Sequence, residues 1–145
     1  MNFSQFLTEA EEEDKNVQAM LKKLPKKHAA LMKGFKFKYV PGNTLPGDDE
    51  HIGLIKGTKV TVAGPWNYGR EFTTLHEIAH MVWEKLMTSK LKKEWEVIAE
   101  KNKKSKQDDA EEDFAMAYAN VYSKHKIVTY NHPDWVSFIK HKVPS

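Results

Sequence analysis

His76 and His80 stand four residues apart, with Glu77 directly after the first, in the stretch TTLHEIAHMVW. On a helix, residues at this spacing lie one turn apart on the same side, so both imidazoles can face one metal ion. Glu77 falls about 100° round the axis, where it can reach a water held in the open position of the metal. This is the general-base arrangement of a zinc hydrolase, in which Zn²⁺ lowers the pKa of water and the carboxylate takes its proton. The plain alternative is a half-buried helix whose histidines bond to backbone or carboxylate groups.

A catalytic zinc takes three protein ligands and keeps one position for water. The downstream stretch DDAEEDFAMAYANVY offers Asp108, Asp109, Glu111, Glu112 and Asp113. Ala115, Met116 and Ala119 follow Glu112 at helical spacing; two of the three are alanines, so this face can approach another helix closely. Phe114, Tyr118 and Val121 form a neighbouring apolar stripe for the core. The pattern favours Glu112 as third ligand, with the shorter Asp113 as second choice. The same acidic cluster also suits the positive end of a helix dipole.

Elements that can position these residues are legible on both sides. FSQFLTEAEEEDKNVQAMLKKL has helical periodicity, with apolar patches at Phe3, Phe6 and Leu7 and again at Val17, Met20, Leu21 and Leu24, separated by an acidic block. Pro25 interrupts it, and KKHAALMKGF predicts a second short helix ending near Gly34. FKFKYV alternates as a half-exposed strand does, and PGNTLPGDDE is a loop by composition. HIGLIKGTKVTVAG predicts a hairpin turning near Gly57, with Val60 and Val62 on one face. Phe72, Leu75, Ala79, Val82 and Leu86 form the stripe of the next helix, with Asn67 as its cap and Glu71 in its first turn. LKKEWEVIAEKNKK, the segment from Asp108 to about Lys124, and DWVSFIKHK after Pro133 predict three more helices. The class is α+β: a small antiparallel sheet feeding a helix-rich C-terminal half.

Composition narrows the function. A chain of 145 residues suits one domain, and a formal charge of +3 does not argue for a dedicated nucleic-acid binder, leaving only non-specific contact. The absence of cysteine removes disulfides, thiol nucleophiles and thiolate zinc sites. No apolar run approaches the ~20 residues that span a bilayer, and the N-terminus lacks the basic start and apolar core of a secretory signal. A soluble protein without membrane partners is expected.

HEIAH followed by EEDFAMAYANVYSKHKIVTYNHPDWVSFI resembles the gluzincin-type metallopeptidases, especially the catalytic domains of anthrax lethal factor and the Pro-Pro endopeptidases. The likeness runs from about Phe72 to Ile139. It implies a zincin-like fold, Zn²⁺ held by His76, His80 and Glu112, Glu77 as catalytic base, and a peptide or protein substrate. Val60 to Ala63 would then be the strand to which an extended substrate adds. One departure stands out. Those peptidases place an oxyanion-steadying tyrosine seven residues before the third ligand, and here that position is Ser105. Loss of such a donor costs on the order of 10²–10³ in rate elsewhere. Tyr118, Tyr122, Tyr130, His125 and His132 are the available replacements; the first two read as core, while Tyr130 and His132 read as loop residues able to reach in.

The N-terminal MNFSQFLTEA resembles the capsid-targeting leader of internal head proteins from T-even-type phages, an aromatic-bearing segment in which Leu7-Thr8-Glu9 precedes the small Ala10. It implies cleavage after Glu9 by a prohead protease. The leader would be residues 1–9 and the functional domain residues 10–145, packaged in the capsid interior and released into the host cytoplasm. Two rival functions share these features: a non-catalytic, zinc-containing internal head protein, and a host-directed binding module on a zincin scaffold.

Overall fold

A computed structural model describes residues 16–40, 53–63, 69–101, 109–124, 126–127 and 130–145. The elements in chain order are α1 (described over 16–22), α2 (Lys26–Leu31), β1 (Lys36–Val40), β2 (Gly53–Lys56), β3 (Lys59–Ala63), α3 (Glu71–Leu86), α4 (Ser89–Lys101), α5 (Ala110–Tyr122) and α6 (Pro133–His141). The α+β class and the helix-rich C-terminal half are as expected. The proposed leader, the Asn67 cap, Asp108, Ser105 and His125 lie outside the described residues.

The sheet differs from expectation in one respect: it is mixed, not antiparallel. Its three strands run in the order β1-β3-β2. β2 and β3 form the expected antiparallel hairpin, turning at Gly57, whose φ of 63° a residue with a Cβ adopts at a cost. β1 joins the far side of β3 in parallel, from Lys36 opposite Lys59 to Val40 opposite Ala63. Residues 41–58 supply the long return that parallel pairing needs. The arrangement places the most apolar strand in the middle, with Val60 and Val62 fully buried.

α3 packs on this sheet, and α5 packs in turn on α3, each through the stripe read from the sequence. Leu75, Ile78, Ala79 and Val82 of α3 are fully buried, as are Phe114, Ala115, Tyr118 and Ala119 of α5. Trp95 ties the C-terminal helices together. Its ring centroid lies 5.6 Å from Phe114 of α5 and 5.3 Å from both Trp135 and Phe138 of α6. Its buried indole N–H, which would be costly unpaired, donates to the Ala110 carbonyl at 2.7 Å. Pro133 opens α6, where its missing N–H removes no helical bond. Among the described residues no helix is long and apolar enough to cross a membrane.

Candidate metal centre

α3 and α5 run antiparallel, joined at both ends. At one end Glu71 Oε1 accepts the Lys124 backbone N–H at 2.7 Å; at the other, the histidines of α3 meet the acidic first turn of α5. Ala79, Ala115 and Ala119 are fully buried in the packing that contains this interface. With so little side chain between them, the helices approach closely enough for a glutamate arm to cross the gap.

Glu112 makes that crossing. Its Oε1 lies 2.9 Å from His80 Nε2 and its Oε2 3.3 Å from His76 Nε2, while the two Nε2 atoms are 3.3 Å apart. Ligand bonds of ~2.0–2.1 Å at the tetrahedral angle put neighbouring ligand atoms about 3.3 Å apart. The two Nε2 atoms match that spacing, and one ligand atom from each of the three side chains lies within 4.8 Å of the other two, so the group can close on one small cation with both imidazoles presenting the same nitrogen. All three are half-buried. Glu112 is held well below the usual carboxylate range, first by hydrogen bonds from His76 and His80 and despite partial desolvation. His80 is shifted upward, chiefly by its hydrogen bond to Glu112, with burial opposing and the charges of Glu112, Glu77 and Glu111 assisting.

The choice between Glu112 and Asp113 is made by the fold. Asp113 is buried, at 5% exposure, and takes no part in the cluster. Glu112 sits at the third position of α5, its backbone N–H donating to Asp109 Oδ1 at 2.7 Å. Asp109 is thus the helix cap rather than a ligand, and the D-x-x-E spacing was a signal for it. Glu111 is a further member that motif reading left among several acids. Its Oε2 lies 3.6 Å from His80 Nδ1, within ion-pair reach of the ring nitrogen that faces away from the cluster. A carboxylate there favours the tautomer that leaves Nε2 free to ligate.

Glu77 lies half-buried against the sheet. Gly53 of β2 passes so close that a Cβ there would stand 2.9 Å from Glu77 Oε1 and 2.8 Å from Thr73 Cγ2. The expectation that Val60 to Ala63 would accept an extended substrate is overturned. β3 is bonded on both sides, to β1 and to β2, and has no edge to offer. The strand beside Glu77 is β2, which among the described residues pairs only with β3.

The candidate oxyanion donors are placed as follows. Tyr118 is fully buried and Tyr122 half-buried, as expected of core residues. Tyr130 and His132, read from the sequence as loop residues able to reach in, rest on Trp135 of α6, one stacked at 6.5 Å and the other edge-on at 4.9 Å. No protein-family model, curated protein or solved structure matches this chain.

Proposed function

We propose that the protein is a zinc-dependent metallopeptidase with a small zincin-like fold, holding Zn²⁺ through His76, His80 and Glu112. The observation that carries this reading is the convergence of two Nε2 atoms and one carboxylate within 4.8 Å of one another, with Glu77 on the same helix. A two-histidine, one-carboxylate set is neutral-imidazole and hard-oxygen chemistry, which suits zinc, and with three protein ligands it leaves a position open. Zinc bound there supplies a lowered pKa to water and polarises a carbonyl.

The residues of the chain do the rest. Glu77 accepts a proton from the attacking water as its oxygen bonds to the peptide carbon, then delivers that proton to the leaving amine as the C–N bond breaks. Glu111 orients His80. An extended peptide pairs with the outer edge of β2, which runs alongside Glu77. The leader motif adds a setting: packaging in a phage head and delivery to the host cytoplasm. An uncleaved Met1 terminus on the packaged protein, or its absence from virions, would remove that setting and leave the peptidase reading standing.

The test is metal content by plasma mass spectrometry of the full chain, with Glu112→Ala, Asp113→Ala and Glu77→Gln beside it. One zinc per chain is expected, lost with Glu112→Ala and kept in the other two. The loaded protein should then cleave members of a peptide library scored by mass spectrometry, and Glu77→Gln should not. Absence of zinc even after reconstitution would overturn the reading. Retained zinc and an unchanged phenotype in Glu77→Gln, without cleavage by either protein, would favour the non-catalytic rivals.

A further inference from the structure

The surface built by α1, α2 and β1 shares no residue with the metal centre. Between Asn16 and Val40 the chain carries seven lysines and neither aspartate nor glutamate. All seven are exposed, and none pairs with a carboxylate of another described residue. Contrast α4, where four lysines and three glutamates share one helix, as is usual of a merely solvated face. Like charges without a carboxylate partner repel one another, so a surface whose described residues carry a single sign calls for a reason beyond solubility.

A cleft of about 520 Å³ opens within this surface. Leu21, Phe35 and Phe37 line it half-buried, with Met32 buried beneath, while Lys22, Lys26 and Lys33 stand around it. Among the described residues its lining holds no carboxylate. Lysines on an edge strand guard against strand-to-strand aggregation, which accounts for Lys36 and Lys38 of β1. It does not account for an apolar cleft ringed by lysines on two helices. The cleft lies at the β1 side of the sheet, across β3 from the Gly53–Glu77 contact.

We infer that this cleft docks an acidic segment of a partner protein, which inserts one or two large apolar side chains among Leu21, Phe35 and Phe37 and sets carboxylates against Lys22, Lys26 and Lys33. Nucleic acid fits less well. Bases stack on open aromatic faces, whereas these two rings are half-buried beside aliphatic side chains. The segment also contains no arginine, the residue that grips phosphate with two parallel bonds. Lysine meets a carboxylate as a point charge, and an apolar cleft between such charges matches an amphipathic acidic peptide. The inference stands or falls independently of the zinc reading.

Fluorescence anisotropy with the full chain tests it against three labelled probes: a glutamate-rich peptide of about 14 residues bearing two leucines four apart, the same peptide without leucines, and an oligo-dT of equal length. The leucine-bearing peptide should bind best and lose affinity steeply with salt. Reversing Lys22, Lys26 and Lys33 to glutamate should weaken it on the order of tenfold or more. These side chains are exposed, so the fold survives, as circular dichroism should confirm. Phe37→Ser should weaken the leucine-bearing peptide more than the plain one. Equal binding of the plain peptide would reduce the surface to bare charge. Tighter binding of oligo-dT would make it a nucleic-acid surface. Each overturns the inference, as does no binding, or binding that the triple reversal leaves intact. Binding seen only after Glu11, Glu12 and Glu13 are changed to Gln would assign the cleft to the acidic segment of the chain itself, and would equally overturn it.

Discussion

Substituting Gly53 with alanine tests how β2 is seated on α3. The φ of Gly53 is not in the left-handed region, so a methyl group meets no backbone penalty. It meets side chains instead: Thr73 Cγ2 at 2.8 Å, Glu77 Oε1 at 2.9 Å and Glu77 Cγ at 3.1 Å. Carbon atoms pack comfortably at about 3.5–4.0 Å, so the Thr73 contact falls short by ~0.7 Å or more. The Glu77 carboxylate can swing aside, but Thr73 is only 4% exposed and is anchored in the packed face of α3. Overpacking of this kind costs about 1–3 kcal/mol, and the stiffer unfolded chain returns roughly 0.4–1 kcal/mol. A net loss of about 1–2 kcal/mol is expected, read as a lower midpoint in urea unfolding with unchanged slope. Thr73→Ser removes the offending methyl. In that background Gly53→Ala should cost no more than about 0.5 kcal/mol, a coupling of roughly 1 kcal/mol. Equal cost in both backgrounds, or no cost in either, would refute this seating of β2. If Glu77 is the base, the displaced carboxylate should also lower hydrolysis on the order of 10²-fold while zinc content holds.

Three further outcomes follow from the geometry. If the centre holds zinc as proposed, Glu111→Gln should weaken its affinity by about tenfold or more without removing the site, as measured by competition with a chelator; an unchanged affinity would show that Glu111 does not orient His80. Asp109→Ala removes the cap on the Glu112 amide and should cost about 1 kcal/mol in denaturant unfolding; retention of full stability would mean the 2.7 Å bond is not formed in solution. His28 provides the pH dependence. Its fully buried ring donates Nε2–H to the Pro144 carbonyl at 2.6 Å and accepts the Tyr118 hydroxyl at Nδ1, 2.9 Å away. Burial lowers its pKa below the usual 6.5, against the opposing effect of the Pro144 bond. The unfolded chain therefore takes up the proton first. The contribution of His28 is complete above pH 6.5 and is lost as pH falls from there toward the lowered folded value, at up to ~1.4 kcal/mol per pH unit. His28→Gln should flatten this limb of the stability profile, and an unaltered limb would exclude His28 as its source.

Periodicity determined a good deal of this protein without reference to any distant contact. The stripe from Phe72 to Val82, the alternation in FKFKYV and the hairpin at Gly57 depend on side-chain direction within a few residues, which local backbone geometry sets. His76, Glu77 and His80 share α3 for the same reason, so their pairing was visible in five letters. The choice of Glu112 over Asp113 was half legible: the alanines marked the face able to approach α3, but only the packed helices bring one carboxylate to the histidines and bury the other.

Tertiary structure decided what depends on partners far along the chain. The partner strand of β1, and hence the parallel pairing, follows from covering both sides of Val60 and Val62, which no local pattern in β1 encodes. That choice placed β3 in the middle, removed Val60 to Ala63 as a docking edge and left β2 beside Glu77. Tyr130 and His132 likewise went to Trp135, because an aromatic ring gains more from burial against another ring than from reaching into solvent. His28 is the plainest case: an unremarkable residue in KKHAAL, it becomes the buried link between Tyr118 and Pro144 once α2, α5 and the C-terminal segment are packed together. Spacing along the chain reports which side chains share a face; the core decides what that face meets.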